Sequence, residues 1–173
     1  FTSGSTGEPK GVEVSHRAAL NTVLEVNRRF GVGEGDRVLA VSALDFDLSV
    51  WDVFGLLSAG GALVMVAEGE RRDAARWARL VAEHGVTVWN TVPALLDMLL
   101  VAGRGELGSL RLALVSGDWV PLDLSARLAE AAPECGLVAL GGATEAAIWS
   151  NFCPVPVKVP DGWVSVPYGR PLA

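Results

Sequence analysis

Cysteine, histidine and tyrosine are nearly missing from this chain, which holds two, two and one of them. Cys135 and Cys153 share no short spacing, so they encode neither a disulfide framework nor a zinc site. Two buried or partly buried thiols in a reducing, cytoplasmic setting are expected instead. His16 and His84 have no partner pattern of a triad. His16 is expected on the surface of an early helix turn, and His84 at a helix C-terminus, where the dipole favours it. No run of about 18 apolar residues is present, so no membrane span is expected, nor a secretory signal. Basic excess is also lacking. The net charge is −6, which makes nucleic acid a poor partner.

What the chain does have is apolar content, half of its 173 residues, enough for one domain with a real core. It opens on Phe1 inside a Gly/Ser/Thr loop and stops in mid-segment at Pro171-Leu172-Ala173. Residues 1–173 are therefore expected to be the central fragment of a larger domain. Short Val/Leu-rich runs alternate with segments of helical period. Strands are expected at 37–41, 62–66, 86–92, 110–115 and 137–140. Helices are expected from Ser15 as N-cap to Gly31, at 47–58, 72–83, from Pro93 at 94–101, and at 121–131. Leu20, Val23, Leu24 and the aliphatic part of Asn27 give the first helix a face. Val50, Val53, Phe54 and Leu57 do the same for the second, and Ala75, Trp77, Leu80 and Val81 for the third. The segment from Phe152 onward is proline-rich and reads as loops with short extended pieces. This alternation predicts an α/β fold, a mostly parallel sheet covered by helices on both faces. Ligands in such folds sit beyond the carboxyl ends of the strands.

Three segments carry chemistry. The first is Phe1-Thr2-Ser3-Gly4-Ser5-Thr6-Gly7-Glu8-Pro9-Lys10-Gly11. Its glycines free backbone N–H groups to face an anion, its hydroxyls add donors, and Lys10 adds a point charge. A flexible linker is the plain alternative, and the order of residues is not that of a Walker A loop. The second is Leu140-Gly141-Gly142-Ala143-Thr144-Glu145, a hard carboxylate beside a glycine turn, or merely a cap pattern. The third runs from Leu44 to Phe54 and contains Asp45, Asp47 and Asp52. Asp47 is a candidate helix N-cap, and Asp45 and Asp52 are expected to be solvated or capping.

The first segment resembles the phosphate-binding motif of the adenylate-forming superfamily. The second resembles that superfamily's Tyr-Gly-Pro-Thr-Glu motif, with Gly141 in place of the aromatic and Ala143 in place of proline. The third is similar to the Phe-Asp-x-Ser-Val motif of nonribosomal peptide synthetase adenylation domains. The tail Val166–Leu172 resembles the Pro-x-Gly-Arg-Pro stretch of the same family. The resemblance implies the large N-terminal lobe of an adenylate-forming enzyme, with ATP and Mg²⁺ used to activate an amino acid. It implies that Thr2, Ser3, Gly4, Ser5, Thr6, Gly7 and Lys10 hold phosphates. Gly141, Gly142, Ala143 and Thr144 are implied to line the nucleotide, Glu145 to carry Mg²⁺, and Lys10, Thr144 and Glu145 to act in catalysis. Asp47 would anchor the substrate ammonium. Leu48, Trp51, Asn90, Leu114, Ser116, Leu140, Ile148 and Trp149, with Gly117 beside them, would form a side-chain pocket. The pocket is similar to the family's cysteine type, with Trp51 replacing tyrosine. Implied partners are a small amino acid, a peptidyl carrier protein bearing phosphopantetheine, neighbouring synthetase domains and an MbtH-like protein. An acyl- or aryl-CoA ligase and a non-catalytic nucleotide-binding or interaction module are the competing readings. The family's ribose-binding Asp, hinge and C-terminal lobe would lie beyond Ala173, so low activity of residues 1–173 alone is expected.

Overall fold

The computed structural model describes Gly7 and residues 10–173. Among them a seven-stranded sheet runs in the order β2-β1-β3-β4-β5-β6-β7. Strands β1 (Arg37–Ala40), β2 (Ala62–Met65), β3 (Val88–Thr91), β4 (Leu112–Val115) and β5 (Gly136–Gly141) are parallel. β6 (Asn151–Val155) and β7 (Arg170–Pro171) extend the sheet antiparallel. The last two are short extended pieces of the kind expected in the proline-rich segment, here paired into the sheet. Pro154 lies within β6, opposite Val138 of β5, and the proline-rich tail closes the sheet edge instead of leaving it.

Side-chain alternation sorts the core into two layers. Leu39, Trp89, Ala113, Val115, Leu137 and Ala139 pack beneath α4 (Ala74–His84), α5 (Pro93–Ala102) and α6 (Leu124–Ala131). Val38, Val88, Leu112, Leu114, Val138 and Leu140 face α1 (His16–Phe30) and the helical segment α2 (Leu48–Val50), a π turn (Trp51–Gly55) and α3 (Leu56–Ser58). Both helix ends that the sequence marks with glycine are observed. Gly31 and Gly85 adopt the left-handed conformation after α1 and α4, and the Ser15 hydroxyl caps α1 by accepting from Ala18 N–H. Both cysteines are buried free thiols, and burial pushes Cys135 up to about 12.

The expected helix faces need correction. Leu20 and Leu24 are exposed, and α1 instead buries Val23 and Val26 with Thr22, Glu25 and Asn27. Glu25 is tolerated there because Arg28 and Arg29 both donate to it, and the Arg29 guanidinium also lies 4.3 Å from the centre of the Phe152 ring. In the second segment Phe54 and Leu57 are exposed, while Leu48, Ser49, Trp51, Asp52, Gly55 and Leu56 are buried. Hydropathy selects the wrong face because the buried one carries an aspartate, a serine and a glycine. In α4, Ala75 is exposed and Ala78 takes its packing place.

One ion pair ties the amino-terminal edge of the sheet. Asp36 accepts from Arg111 Nε (2.8 Å) and Nη2 (2.5 Å), from Thr87 Oγ1 (2.7 Å) and from Gly33 N–H (2.9 Å). Arg111 also donates to the carbonyls of Phe30 and Gly31 at the end of α1. Burial pushes the Asp36 carboxyl up, but the bonds from Arg111, Gly33 and Thr87 outweigh it and hold the group below the ordinary range. Its contribution to stability is therefore present above the ordinary carboxylate pKa and lost as pH falls through the lowered value. Arg111→Met, which strands a buried carboxylate, is expected to destabilise the full-length protein by about 3 kcal/mol. The readout is a lower midpoint of urea unfolding at neutral pH, with the deficit against wild type shrinking under acid conditions.

Candidate functional site

Parallel pairing brings the carboxyl ends of β1, β3, β4 and β5 to one edge. The order reverses between β1 and β3. From β1 the chain crosses outward to β2 by the helical segment on one face, and α4, α5 and α6 make the later crossovers on the other. Such a reversal opens a crevice where side chains from two loops converge. Asp47, following β1, and Asn90, near the end of β3, stand on its two sides.

Asp47 occupies the N-cap position of α2, yet its side chain does not cap the helix. Its Oδ2 instead accepts from Thr144 Oγ1 at 2.7 Å, across 97 residues of sequence. Thr144 opens a 3-10 turn, Thr144–Ala146, directly after β5. Two of the three predicted motifs therefore touch. Asp47 is half-buried and keeps Oδ1 free of hydrogen bonds among the described residues, an open position for a donor. Glu145 is exposed on the rim, bordering a cleft of about 340 Å³ with Asn21, Thr22, Trp149 and Leu172. Among the described residues no cluster of three or more His, Cys, Asp or Glu could hold a metal by itself. A lone rim carboxylate nevertheless fits Mg²⁺, which takes most of its ligands from phosphates and water. Lys10 is exposed, and Thr2, Ser3, Gly4, Ser5 and Thr6 lie outside the described residues.

The predicted side-chain pocket is a connected group. Leu48, Trp51, Leu114, Leu140, Ile148 and Trp149 belong to one buried cluster. The Trp51 and Trp149 rings lie 6.0 Å apart and tilted by 59°. Trp149 Nε1 donates to Ser116 Oγ at 2.9 Å. Asn90 is fully buried, and its Nδ2 donates to the Leu48 carbonyl at 3.3 Å and to Asp52 Oδ1 at 2.8 Å. Gly117 turns the chain at φ 81°, and a Cβ there would lie 3.6 Å from the Phe46 ring.

Several neighbours escaped the sequence reading. Asp52 is neither solvated nor capping. It is 1% exposed, and burial pushes its carboxyl up to about 7 against the lowering effect of the Asn90 hydrogen bond. Asn27 accepts from Trp51 Nε1 at 3.1 Å and donates to the Gly55 carbonyl at 2.8 Å, locking that indole in place. Gly55 is needed because a Cβ would lie 2.7 Å from Trp51 Nε1. Its spacing of four from Trp51 is the one signal that pointed to this contact.

The turn after Glu145 is strained. Ala147 and Ile148 have φ of 57° and 79°, and Trp149 N–H bonds back to the Ala147 carbonyl at 3.1 Å. A three-residue turn with a β-branched residue at positive φ is costly, and its neighbours must hold it. Gly142 does so by leaving room, since a Cβ there would lie 2.5 Å from the Ile148 carbonyl oxygen. A Cβ on Gly141 would meet the Asn151 side chain. Both glycines are thus required by the packing of the chain itself.

Comparisons with known proteins bear on the family and the fold. The family model described as AMP-binding enzyme matches residues 1–173. The chain is 55% identical over 176 residues to the anguibactin system regulator of Vibrio anguillarum, covering 99% of this chain and 17% of that protein. It is 56% identical over 175 residues to pyochelin synthetase PchE of Pseudomonas aeruginosa, covering 99% and 12%. A crystal structure of the nonribosomal peptide synthetase FmoA3, in its alpha-methyl-L-serine-AMP bound form, superposes with a TM-score of 0.91 at 48% identity, covering 97% of this chain and 19% of that one. The chain thus spans less than a fifth of these relatives.

Ser116→Ala would leave the Trp149 indole N–H buried without an acceptor, which is expected to cost about 1–3 kcal/mol. Trp149→Phe added to it should cost less than it does in the wild-type background. The check is a double-mutant cycle on denaturant midpoints of the full-length protein.

Proposed function

The chain belongs to the AMP-binding enzyme family, and on that premise we propose that it forms part of an amino-acid-activating adenylation domain of a nonribosomal peptide synthetase. The carrying observation is the Asp47–Thr144 contact. It sets one carboxylate, with an oxygen to spare, beside the turn that holds Glu145. A half-dry carboxylate is the natural partner of a substrate ammonium. The similarity to a synthetase seen with an aminoacyl-AMP supports the same substrate class.

In this reading Asp47 orients the amino acid so that its carboxylate attacks the α-phosphate of ATP. Aminoacyl-AMP forms and pyrophosphate leaves. The acyl group then passes to the phosphopantetheine thiol of a carrier protein. Positioning and charge neutralisation dominate such chemistry. Glu145 would hold Mg²⁺, which neutralises phosphate charge when bound. Thr2–Thr6, Gly7 and Lys10 would cradle the outgoing phosphates, and Gly141, Gly142, Ala143 and Thr144 would border the nucleotide.

We assign the side-chain pocket to a small, weakly polar group, with L-cysteine as the preferred substrate. The two indoles shorten it, and Leu48, Leu114, Leu140 and Ile148 suit a thiol. Neighbouring synthetase domains and an MbtH-like protein are proposed partners. No helix among the described residues is long and apolar enough to cross a membrane.

Amino-acid-dependent pyrophosphate exchange by the full-length protein tests this. Cysteine should lead a panel of small amino acids, with serine lower by about 10–200-fold in kcat/KM. Asp47→Ala should lower kcat/KM by about 100-fold or more, as expected for an ammonium left unpaired. An acyl- or aryl-acid activator, with no amine to hold, would lose little.

A further inference from the structure

Three buried side-chain oxygens lack a hydrogen-bond partner among the described residues: Asp52 Oδ2, Asn90 Oδ1 and Glu106 Oε2. The first two belong to side chains already joined by the bond from Asn90 Nδ2 to Asp52 Oδ1. The amide cannot be turned over to relieve them. Its NH₂ group faces both the Leu48 carbonyl and Asp52 Oδ1, and a turned amide would set an oxygen against two acceptors. Two orphan acceptors on one pair are unusual at a buried site. A single proton on Asp52 Oδ2, if donated to Asn90 Oδ1, would answer both and close a two-bond acid–amide ring.

We infer that Asp52 is held as a neutral carboxylic acid paired with Asn90, and that it is a positioning residue fixing the Asn90 amide in the wall of the substrate pocket. The inference rests on the function proposed above. It gives the two aspartates of this segment separate tasks. Asp47 offers its charge to an ammonium, and Asp52 adds none to the pocket. With both amide hydrogens and one lone pair engaged, Asn90 is held in one orientation behind the pocket wall.

Burial raising the carboxyl to about 7 agrees with this. The charged residues on the packed elements are His16, Arg17, Glu25, Arg28 and Arg29 on α1, Arg37 on β1, and Asp47 beside α2. Glu25 is engaged with Arg28 and Arg29, and Asp47 with Thr144. None of the seven pairs with Asp52, which leaves Asn90 and burial as the influences on its proton. Ionisation as pH rises through about 7 would break the ring and set a charge behind the pocket.

The experiment uses the full-length protein with Asp52→Asn, which keeps both ring bonds at every pH, and Asp52→Leu, which keeps neither. Asp52→Asn should hold the amino-acid KM within about 3-fold of wild type below neutral pH and abolish the rise in KM on the alkaline side. Asp52→Leu should raise KM by about 10-fold or more with kcat changed far less. Infrared difference spectra of wild type minus Asp52→Asn, on the acid side of neutrality, should show the carbonyl stretch of a protonated carboxylic acid. This readout needs no activity, so it decides the inference even if wild type shows no amino-acid-dependent exchange, an outcome that would fell the functional reading instead. A carboxylate stretch in its place overturns the inference. So does a folded Asp52→Asn protein that behaves like Asp52→Leu.

Discussion

Everything at the site depends on parallel pairing. Strands β1, β3, β4 and β5 are held in a register that ends them together, so residues remote in sequence arrive at one edge. Period-two alternation then decides which residue faces which layer. Asn90 and Leu114 are register partners on the face that carries Trp51 and Trp149, while Trp89 and Ala113, one step away, face the opposite layer. A slip of one residue would exchange the polar wall of the pocket for the packing of α4 and α5.

The two edges of this sheet are built differently. At the amino-terminal edge Asp36 accepts four hydrogen bonds and Arg111 donates four, joining the end of α1 to β1 and β4 with several charge-assisted bonds. At the carboxyl edge the chain tolerates a positive-φ isoleucine, two orphan oxygens and a half-buried carboxylate with an unused lone pair. Proteins concentrate such departures from local ideality where ligands are handled. The contrast assigns stability to one edge and marks the other as the candidate site.

Much of this was legible in the sequence. Glycine after α1 and α4, Ser15 before α1 and Pro93 opening α5 are local signals that tertiary packing does not override. The apolar runs marked all five parallel strands, and the place of the motifs after strand ends, with the family resemblance, pointed to one site for Asp47 and Thr144. Other features could not be read. The buried face of the second helical segment includes Ser49, Asp52 and Gly55, so hydropathy pointed to its opposite side. Leu20 and Leu24 looked like core and are exposed, while Glu25, which no sequence signal singled out, is buried because two arginines meet it. Strand β6 was hidden by Pro154, whose place in an antiparallel extension depends on partners far away in sequence.

The pocket side chains hold one another: Trp149 through Ser116, Trp51 through Asn27 and Gly55, Asn90 through Leu48 and Asp52. A specificity code read as independent letters misdescribes such a wall. Each letter is legible only with its brace, and several braces fall outside the code. On the proposed function, changing the preferred substrate would therefore mean exchanging linked pairs, and epistasis between pocket residues and their supports would set which exchanges are reachable.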